Sequence, residues 1–262
     1  MLNKAKILKN YTLNSLDGEI GKVKDFYFDD RTWAIQYLIA DTGNWLTGRK
    51  VLISPNFIVS INKEEEYITI NLTKSQIENS PALDSDKPVS NQFQVEFHGY
   101  FESPIAVAGM GYGGTGAPIP YIPIKNYDEK FVKNDKEANE WDPNLRSTHY
   151  VSGYNIQALD DTIGHVDDFI IDDDTWDIQY LEIDTKKWLF GRKLLISPKW
   201  IESVSWNELK VFVNLSCEEI KQSPEYTEAS ILDRNYETRL HKHYNRTAYW
   251  LDRQELKDKC NK

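Results

Sequence analysis

The sequence predicts an all-β protein with minor α content. Two small antiparallel β-barrels arise from an internal duplication, each followed by a short amphipathic helix. Three observations carry this. First, Thr32-Trp33-Ala34-Ile35-Gln36-Tyr37-Leu38 returns as Thr175-Trp176-Asp177-Ile178-Gln179-Tyr180-Leu181, and Trp33 and Trp176 lie 143 positions apart. Asp41-Thr42, Trp45-Leu46, Gly48-Arg49-Lys50 and Ile53-Ser54-Pro55 recur at the same offset without a gap. Second, each copy holds five or six short apolar runs with close turn signals between them, as small β-structures do. Third, Val89, Phe93, Phe97 and Phe101 match Leu232, Tyr236, Leu240 and Tyr244; both sets are spaced by four and share one helix face.

The first unit, 8–83, opens with an extended segment at Tyr11-Thr12-Leu13. Glu19 to Asp29 alternates, with Ile20, Val23, Phe26 and Phe28 as apolar marks and Gly21 as a bulge that lets a small barrel curl. Asp29-Asp30-Arg31-Thr32 is a turn, because aspartate side chains satisfy turn backbone. Trp33, Ile35, Tyr37 and Ile39 fall on one face of the next strand at a two-residue period. Asp41 to Lys50 is a loop, Val51-Leu52-Ile53 a short buried strand, and Phe57–Ile61 with Tyr67–Leu72 a hairpin across a charged turn. Thr73-Lys74-Ser75-Gln76 reads as a capping box opening one helical turn. The second barrel, 150–226, repeats this order, and about half of the positions between Ser15 and Pro81 equal their partners. The helices are expected at 88–101 and 231–244, with Ser90 and Asp233 as N-caps. Phe93, Phe97, Tyr236 and Leu240 should be buried. Residues 102–149, glycine- and proline-rich and then charged, read as a linker. The two repeats are expected to pack as a pseudo-dimer within one chain, related by a pseudo-twofold axis.

Composition narrows function. A net charge of −10 opposes a polyphosphate partner, so nucleic acid is not expected. Cys217 and Cys260 are the only cysteines and neither recurs in the other copy, which fits a reduced, cytoplasmic setting. Met1 to Asn10 alternates lysine with apolar residues, without a signal-peptide core. No stretch reaches the roughly 20 apolar residues of a membrane-spanning helix.

No catalytic, cofactor or metal residues emerge. Gly111-Tyr112-Gly113-Gly114-Thr115-Gly116 has the dinucleotide spacing, but Ala117-Pro118-Ile119-Pro120 follows where a helix is needed. Asp29-Asp30 and Asp172-Asp173-Asp174 lack the spaced oxygen ligands of a calcium loop and read as turns. His98 and His241 align between copies, beside the aromatic helix face, and no histidine or cysteine pair has zinc spacing. The candidate partner contacts are Trp45, Arg49 and Lys50 with their counterparts Trp188, Arg192 and Lys193, since tryptophan and arginine are enriched in hot spots. Against this, each tryptophan could plug a barrel end and each basic pair flank a strand.

The G-x-V-x-D-F-x-x-D-D-x-T-W-x-I-x-Y-L pattern, the D-T…W-L-x-G-R-K-x-L-I-S-P run and the closing helix resemble the PRC-barrel family. That family includes a cytoplasmic domain of the photosynthetic reaction-centre H subunit and the C-terminal domain of a ribosome-maturation factor. The closer resemblance is to stand-alone bacterial proteins with two such domains. It covers Tyr11 to Pro81 and Tyr154 to Pro224. It implies small barrels used for docking, with no catalytic set to carry over. The function expected is a non-enzymatic adaptor or scaffold mediating protein–protein interaction in the bacterial cytoplasm, in a stress-related setting, with an unknown protein partner. Two alternatives stand beside it: a ligand-binding or enzymatic protein with a site between the barrels, and an accessory role like that of the reaction-centre H subunit.

Overall fold

The computed structural model describes residues 1–43, 45–46, 49–80, 144–185, 191–227 and 233–251. The chain divides into two compact units, one of Asn10–Tyr27 with Gln36–Leu145, the other of Met1–Lys9, Phe28–Ile35 and Arg146–Lys262.

The elements of the first repeat are β1 (Leu2–Lys4), α1 (Ala5–Leu8), β2 (Thr12–Ser15), β3 (Gly18–Asp29), β4 (Ile35–Asp41), β5 (Lys50–Ile53), β6 (Ile58–Asn62), β7 (Tyr67–Ile70) and α2 (Lys74–Glu78). The second repeats them as β8 (Leu145–Ser147), α3 (Thr148–Val151), β9 (Asn155–Gln157), β10 (Thr162–Asp172), β11 (Ile178–Asp184), β12 (Lys193–Ile196), β13 (Ile201–Ser205), β14 (Lys210–Val213) and α4 (Cys217–Lys221), then adds α5 (Arg234–His243). One sheet runs β5-β4-β3-β2-β7-β6 and the other β12-β11-β10-β9-β14-β13. Their registers coincide: Leu38 faces Ile53 as Leu181 faces Ile196, and Thr12 faces Tyr67 as Asn155 faces Lys210. Apolar positions at the same offset therefore fill equivalent cores, with Leu13, Phe26, Leu38 and Ile53 fully buried in one and Ile156, Phe169, Leu181 and Ile196 in the other.

Three features refine the expected barrels. The ladders are antiparallel except β2 with β7 and β9 with β14, which are parallel. The sheets are open paths: a 3-10 turn, Pro55–Phe57, joins β5 to β6 along the chain where a closed barrel would need a ladder. Gly21 and Gly164 are required for close approach, since a Cβ on Gly21 would sit 2.1 Å from the Asp41 carbonyl oxygen and one on Gly164 2.2 Å from that of Asp184.

Two segments fall outside the predicted boundaries. Leu2–Lys4 pairs with β10 in the other repeat's sheet, Asn3 facing Ile171. At the far end of the segment read as a 102–149 linker, Leu145–Ser147 is a strand on β3 and Thr148 begins a helix. Three residues with one lysine or arginine among them carry no readable period, and neither strand stands without the sheet edge it completes. Trp33 also departs from its expected strand. It and Trp176 adopt left-handed φ of 58° and 60°. Their carbonyls then accept across a reciprocal bridge, Ile35 N to Trp176 O at 2.7 Å and Ile178 N to Trp33 O at 2.8 Å. That conformation is costly for a bulky residue; the reciprocal bonds and burial of both indoles offset it.

The second helix is confirmed as α5, Arg234–His243, N-capped by Asp233, with Tyr236 and Leu240 each 1% exposed. The helix expected over 88–101, with Phe93 and Phe97, lies outside the described residues, as does most of 102–149. Among the described residues no helix is long and apolar enough to cross a membrane.

Candidate functional site

The loop arginines act inside the fold. Arg49 donates through Nη1 to the Glu78 carbonyl at 2.8 Å and through Nη2 to that of Ser80. Arg192 does the same to Lys221 and Ser223 at 3.2 and 3.1 Å. Each guanidinium thus satisfies carbonyls left over at the end of α2 or α4, where a cation is also favoured by the helix dipole. Trp45 is half-buried, with the Lys74 ammonium 5.6 Å from its ring centroid. Lys50 faces Asp41 across the β4–β5 ladder. Trp188 lies outside the described residues. Lys193 turns inward: its Nζ lies 2.6 Å from Glu182 Oε1 and 3.1 Å from Asp167 Oδ2.

That contact opens a buried charge cluster. Glu182, on β11, is fully buried. Its carboxylate also takes the Lys4 ammonium of β1 at 2.8 Å and the Tyr226 hydroxyl at 2.9 Å. Asp168 accepts from the Phe169 and Lys6 backbone N–H groups at 2.8 and 3.1 Å. Burial pushes the Asp168 carboxyl up to about 6, and the Glu182 charge adds to the effect. Burial works the same way on Asp167, but the hydrogen bonds from Lys6 and Lys193 outweigh it and hold that carboxyl at about 2.

A second buried network pins α5. The Tyr180 and Tyr249 hydroxyls both donate to Glu237 Oε1 at 3.0 Å, and Arg234 Nη1 meets Oε2 at 2.8 Å. His241 Nε2 lies 2.9 Å from the Tyr180 oxygen, whose proton is already given to Glu237, so Nε2 carries the hydrogen. Burial holds His241 down at about 4 and raises Glu237 above the usual carboxylate range. With three donors on Glu237 and a neutral His241 only 3% exposed, the network orients the helix. Beside it a cleft of about 660 Å³ is walled by Trp33, Trp206 and Tyr249, with Arg31, Lys199 and Glu202 at its polar side.

The aspartate turns behave as turns. Asp29 Oδ1 accepts from the Arg31 and Thr32 N–H groups, and Asp172 Oδ1 from that of Asp174. The carboxylates of Asp172, Asp173 and Asp174 converge within 4.8 Å, and the Met1 amino nitrogen lies 3.5 Å from Asp172.

Sequence reasoning missed Glu182, Lys4, Asp168 and Tyr226. One signal was present: Glu182 stands where the first repeat has Ile39, inside an otherwise apolar strand. It also missed the surface. Leu16 and Leu159, at matching positions, are 58% and 63% exposed, and so are Ile7 and Tyr150, at 54% and 60%. Both leucines are held rigidly. Leu16 N donates to Leu72 O at 2.9 Å and Leu159 N to Leu215 O at 3.0 Å. The next residues, Asp17 and Asp160, accept at 2.8 Å from the first N–H of α2 and α4; the Lys74 N–H holds the Asp17 carboxyl below its ordinary value, and the Cys217 side chain, then its N–H, does so for Asp160.

A family model for the PRC-barrel domain matches residues 13–77 and again residues 151–213. No curated protein matches the chain. The two matches coincide with the two sheets of common register, β2 to α2 and α3 to β14, so the chain belongs to the PRC-barrel family through two domains, one in each repeat.

Proposed function

We propose that this protein is a non-enzymatic adaptor whose two PRC-barrels engage one partner protein through equivalent turns. The supporting observation is the pair Leu16 and Leu159: large, exposed, anchored by backbone hydrogen bonds and placed identically on both domains. A rigid apolar tip loses little conformational freedom on binding, which favours its use as an anchor. Two tips on one chain suit a partner with two like apolar pockets, since engaging the first raises the effective concentration of the second. The perturbed groups Asp167, Asp168, Glu237 and His241 fit the same reading, because they are bound up in packing the β1–α1 segment or α5.

Affinity purification of the full chain from its native host should recover a partner in stoichiometric amount. Leu16→Asp with Leu159→Asp should lose that partner while circular dichroism and melting temperature stay unchanged, and each single variant should keep part of the binding. Partner retained by the double variant would remove these turns from the interface. No stoichiometric partner under mild cross-linking would sink the adaptor reading.

The aromatic-walled cleft of Trp33, Trp206 and Tyr249 favours a second reading, a small-ligand site in the same unit. Quenching of tryptophan fluorescence by a metabolite, lost in Trp206→Ala, would support it.

A further inference from the structure

β10 is 11 residues long. Its start, Thr162 to His165, pairs with β9 on one side, and its other side pairs with β11. Its end, Ile170 to Asp172, extends past β9, and β1 completes that edge. The segment after β1 is anchored too. Ala5 and Leu8 are each 1% exposed, the Lys6 N–H is held by Asp168 Oδ1, and the Lys6 ammonium meets Asp167. A stretch from the start of the chain therefore fills a built acceptor in the second repeat.

The acceptor discriminates. Glu182 is fully buried, and its charge is balanced by Lys4 and Lys193. The residues at the corresponding positions of the other strand and the other sheet are Ser147 and Ile39. A strand with serine in place of Lys4 would leave buried Glu182 with Lys193 alone, which Asp167 shares, and a strand with Lys4 against isoleucine would bury a lysine without that carboxylate. Both mismatches are strongly unfavourable. Only Leu2–Lys4, or the same strand of another copy, fits the Glu182 acceptor. The connection is short as well: α1 ends at Leu8, and Asn10, at φ 81°, takes a left-handed conformation where the second repeat has Gly153 at φ 95°. Short hinges under strain invite exchange of the element they carry.

We infer that Met1–Lys9 is an exchangeable strand and that the β10 edge with Glu182 accepts it from a second copy of this chain, giving strand-exchanged dimers selected by the Lys4–Glu182 pair. The exchange makes and breaks the same contacts in cis and in trans, so its equilibrium is set by concentration and hinge strain. It is independent of the leucine turns, which lie on different residues.

The test uses full-length chains with Cys217→Ala and Cys260→Ser as background. One chain carries Asn3→Cys and the other Ile171→Cys, positions that face each other across the β1–β10 ladder. Paired residues of an antiparallel ladder lie at a separation that a disulfide can span. Both substitutions in one chain serve as the control and should close an intrachain bond. Mixing the two single-cysteine chains under mild oxidation should give an interchain disulfide whose yield rises with concentration. Lys4→Glu in the first chain should cut that yield by about 100-fold, and Glu182→Lys in the second chain should restore it. A control that closes with no interchain product on mixing would overturn the inference. So would an interchain product indifferent to Lys4→Glu, which would mark random collision. The Leu16→Asp/Leu159→Asp variant should exchange normally, which separates failure here from failure of the docking turns.

Discussion

The β2–β3, β2–β7, β4–β5 and β6–β7 ladders keep the register of their counterparts, yet at one buried strand position an apolar side chain is exchanged for a carboxylate. At Ile39 the first sheet carries an apolar side chain 3% exposed; at the same place the second carries Glu182, fully buried with Lys4, Lys193 and Tyr226 around it. The duplicated backbone tolerates either solution because both leave no buried group unsatisfied. The comparison teaches that PRC-barrel geometry alone does not decide which strand completes which sheet. Side-chain chemistry at one position does so in the second repeat, and an ionic contact rejects wrong partners more sharply than an apolar one.

The largest effect expected is that of breaking the first barrel with the second barrel's residue. Ile39→Glu buries a carboxylate that at most Lys50, the counterpart of Lys193, can meet, because Ser147 stands where β1 has Lys4, and the penalty for a buried charge short of its partners is about 3–5 kcal/mol. Urea denaturation should show the transition of that barrel lost or moved to much lower denaturant. In the second barrel, Glu182→Ala should cost about 3–5 kcal/mol because Lys4 loses its partner. Adding Lys4→Met should recover most of it, since no charge is then left alone. If Glu182→Ala is silent, or Lys4→Met makes it worse, the ionic account of the seat is wrong.

A step smaller is the helix. Leu240, 1% exposed, packs on a domain whose Trp200 ring lies 4.8 Å from that of Tyr244. Leu240→Ala should cost about 2–5 kcal/mol, read as a lower melting temperature. An unchanged melt with the protein monomeric would move α5 to the list of partner surfaces.

The smallest and most specific effect is in pH. Asp168 is raised from its ordinary 3.8 to about 6 by burial, then by Glu182, against the N–H groups of Phe169 and Lys6. A raised carboxyl means the folded state holds its proton more tightly than the unfolded one. The contribution of Asp168 to stability should therefore fall as pH rises from about 4 to 6 and level off above, by up to about 3 kcal/mol. Asp167, held at about 2, acts in a separate window, losing stability only as pH falls below about 4. His241, held at about 4, slopes the other way in the same window, so the test is the difference between parent and Asp168→Asn: the destabilisation caused by the substitution should shrink as pH rises from about 4 to 6. A parent-to-variant difference that does not change with pH would remove Asp168 from the account.

Much of this was legible beforehand because it is local or repeated. The gapless offset of 143, the two-residue alternation and the capping boxes at Thr73 and Ser216 are short-range patterns. Duplication doubled their weight, and the family and the order of strands followed. Chemistry at the surface was less legible. Arg49 and Arg192 beside tryptophans read as partner contacts, but their guanidiniums close α2 and α4, because the carbonyls they meet lie about thirty residues along the chain and no spacing encodes that approach. Leu16 and Leu159 sit in turns, where a single apolar residue gives no periodic signal.

By itself, then, the sequence determined the duplicated all-β architecture and its bulges, because backbone preference and side-chain alternation act over a few residues. Only the tertiary structure decided that Leu2–Lys4 leaves its own repeat for β10, that Trp33 and Trp176 turn left-handed to trade carbonyl bonds, and that Lys4, Glu182, Lys193 and Tyr226 meet. Each of these depends on which groups are brought together out of water, and burial turns a scattered lysine, glutamate and tyrosine into a single interaction that no one of them announces alone.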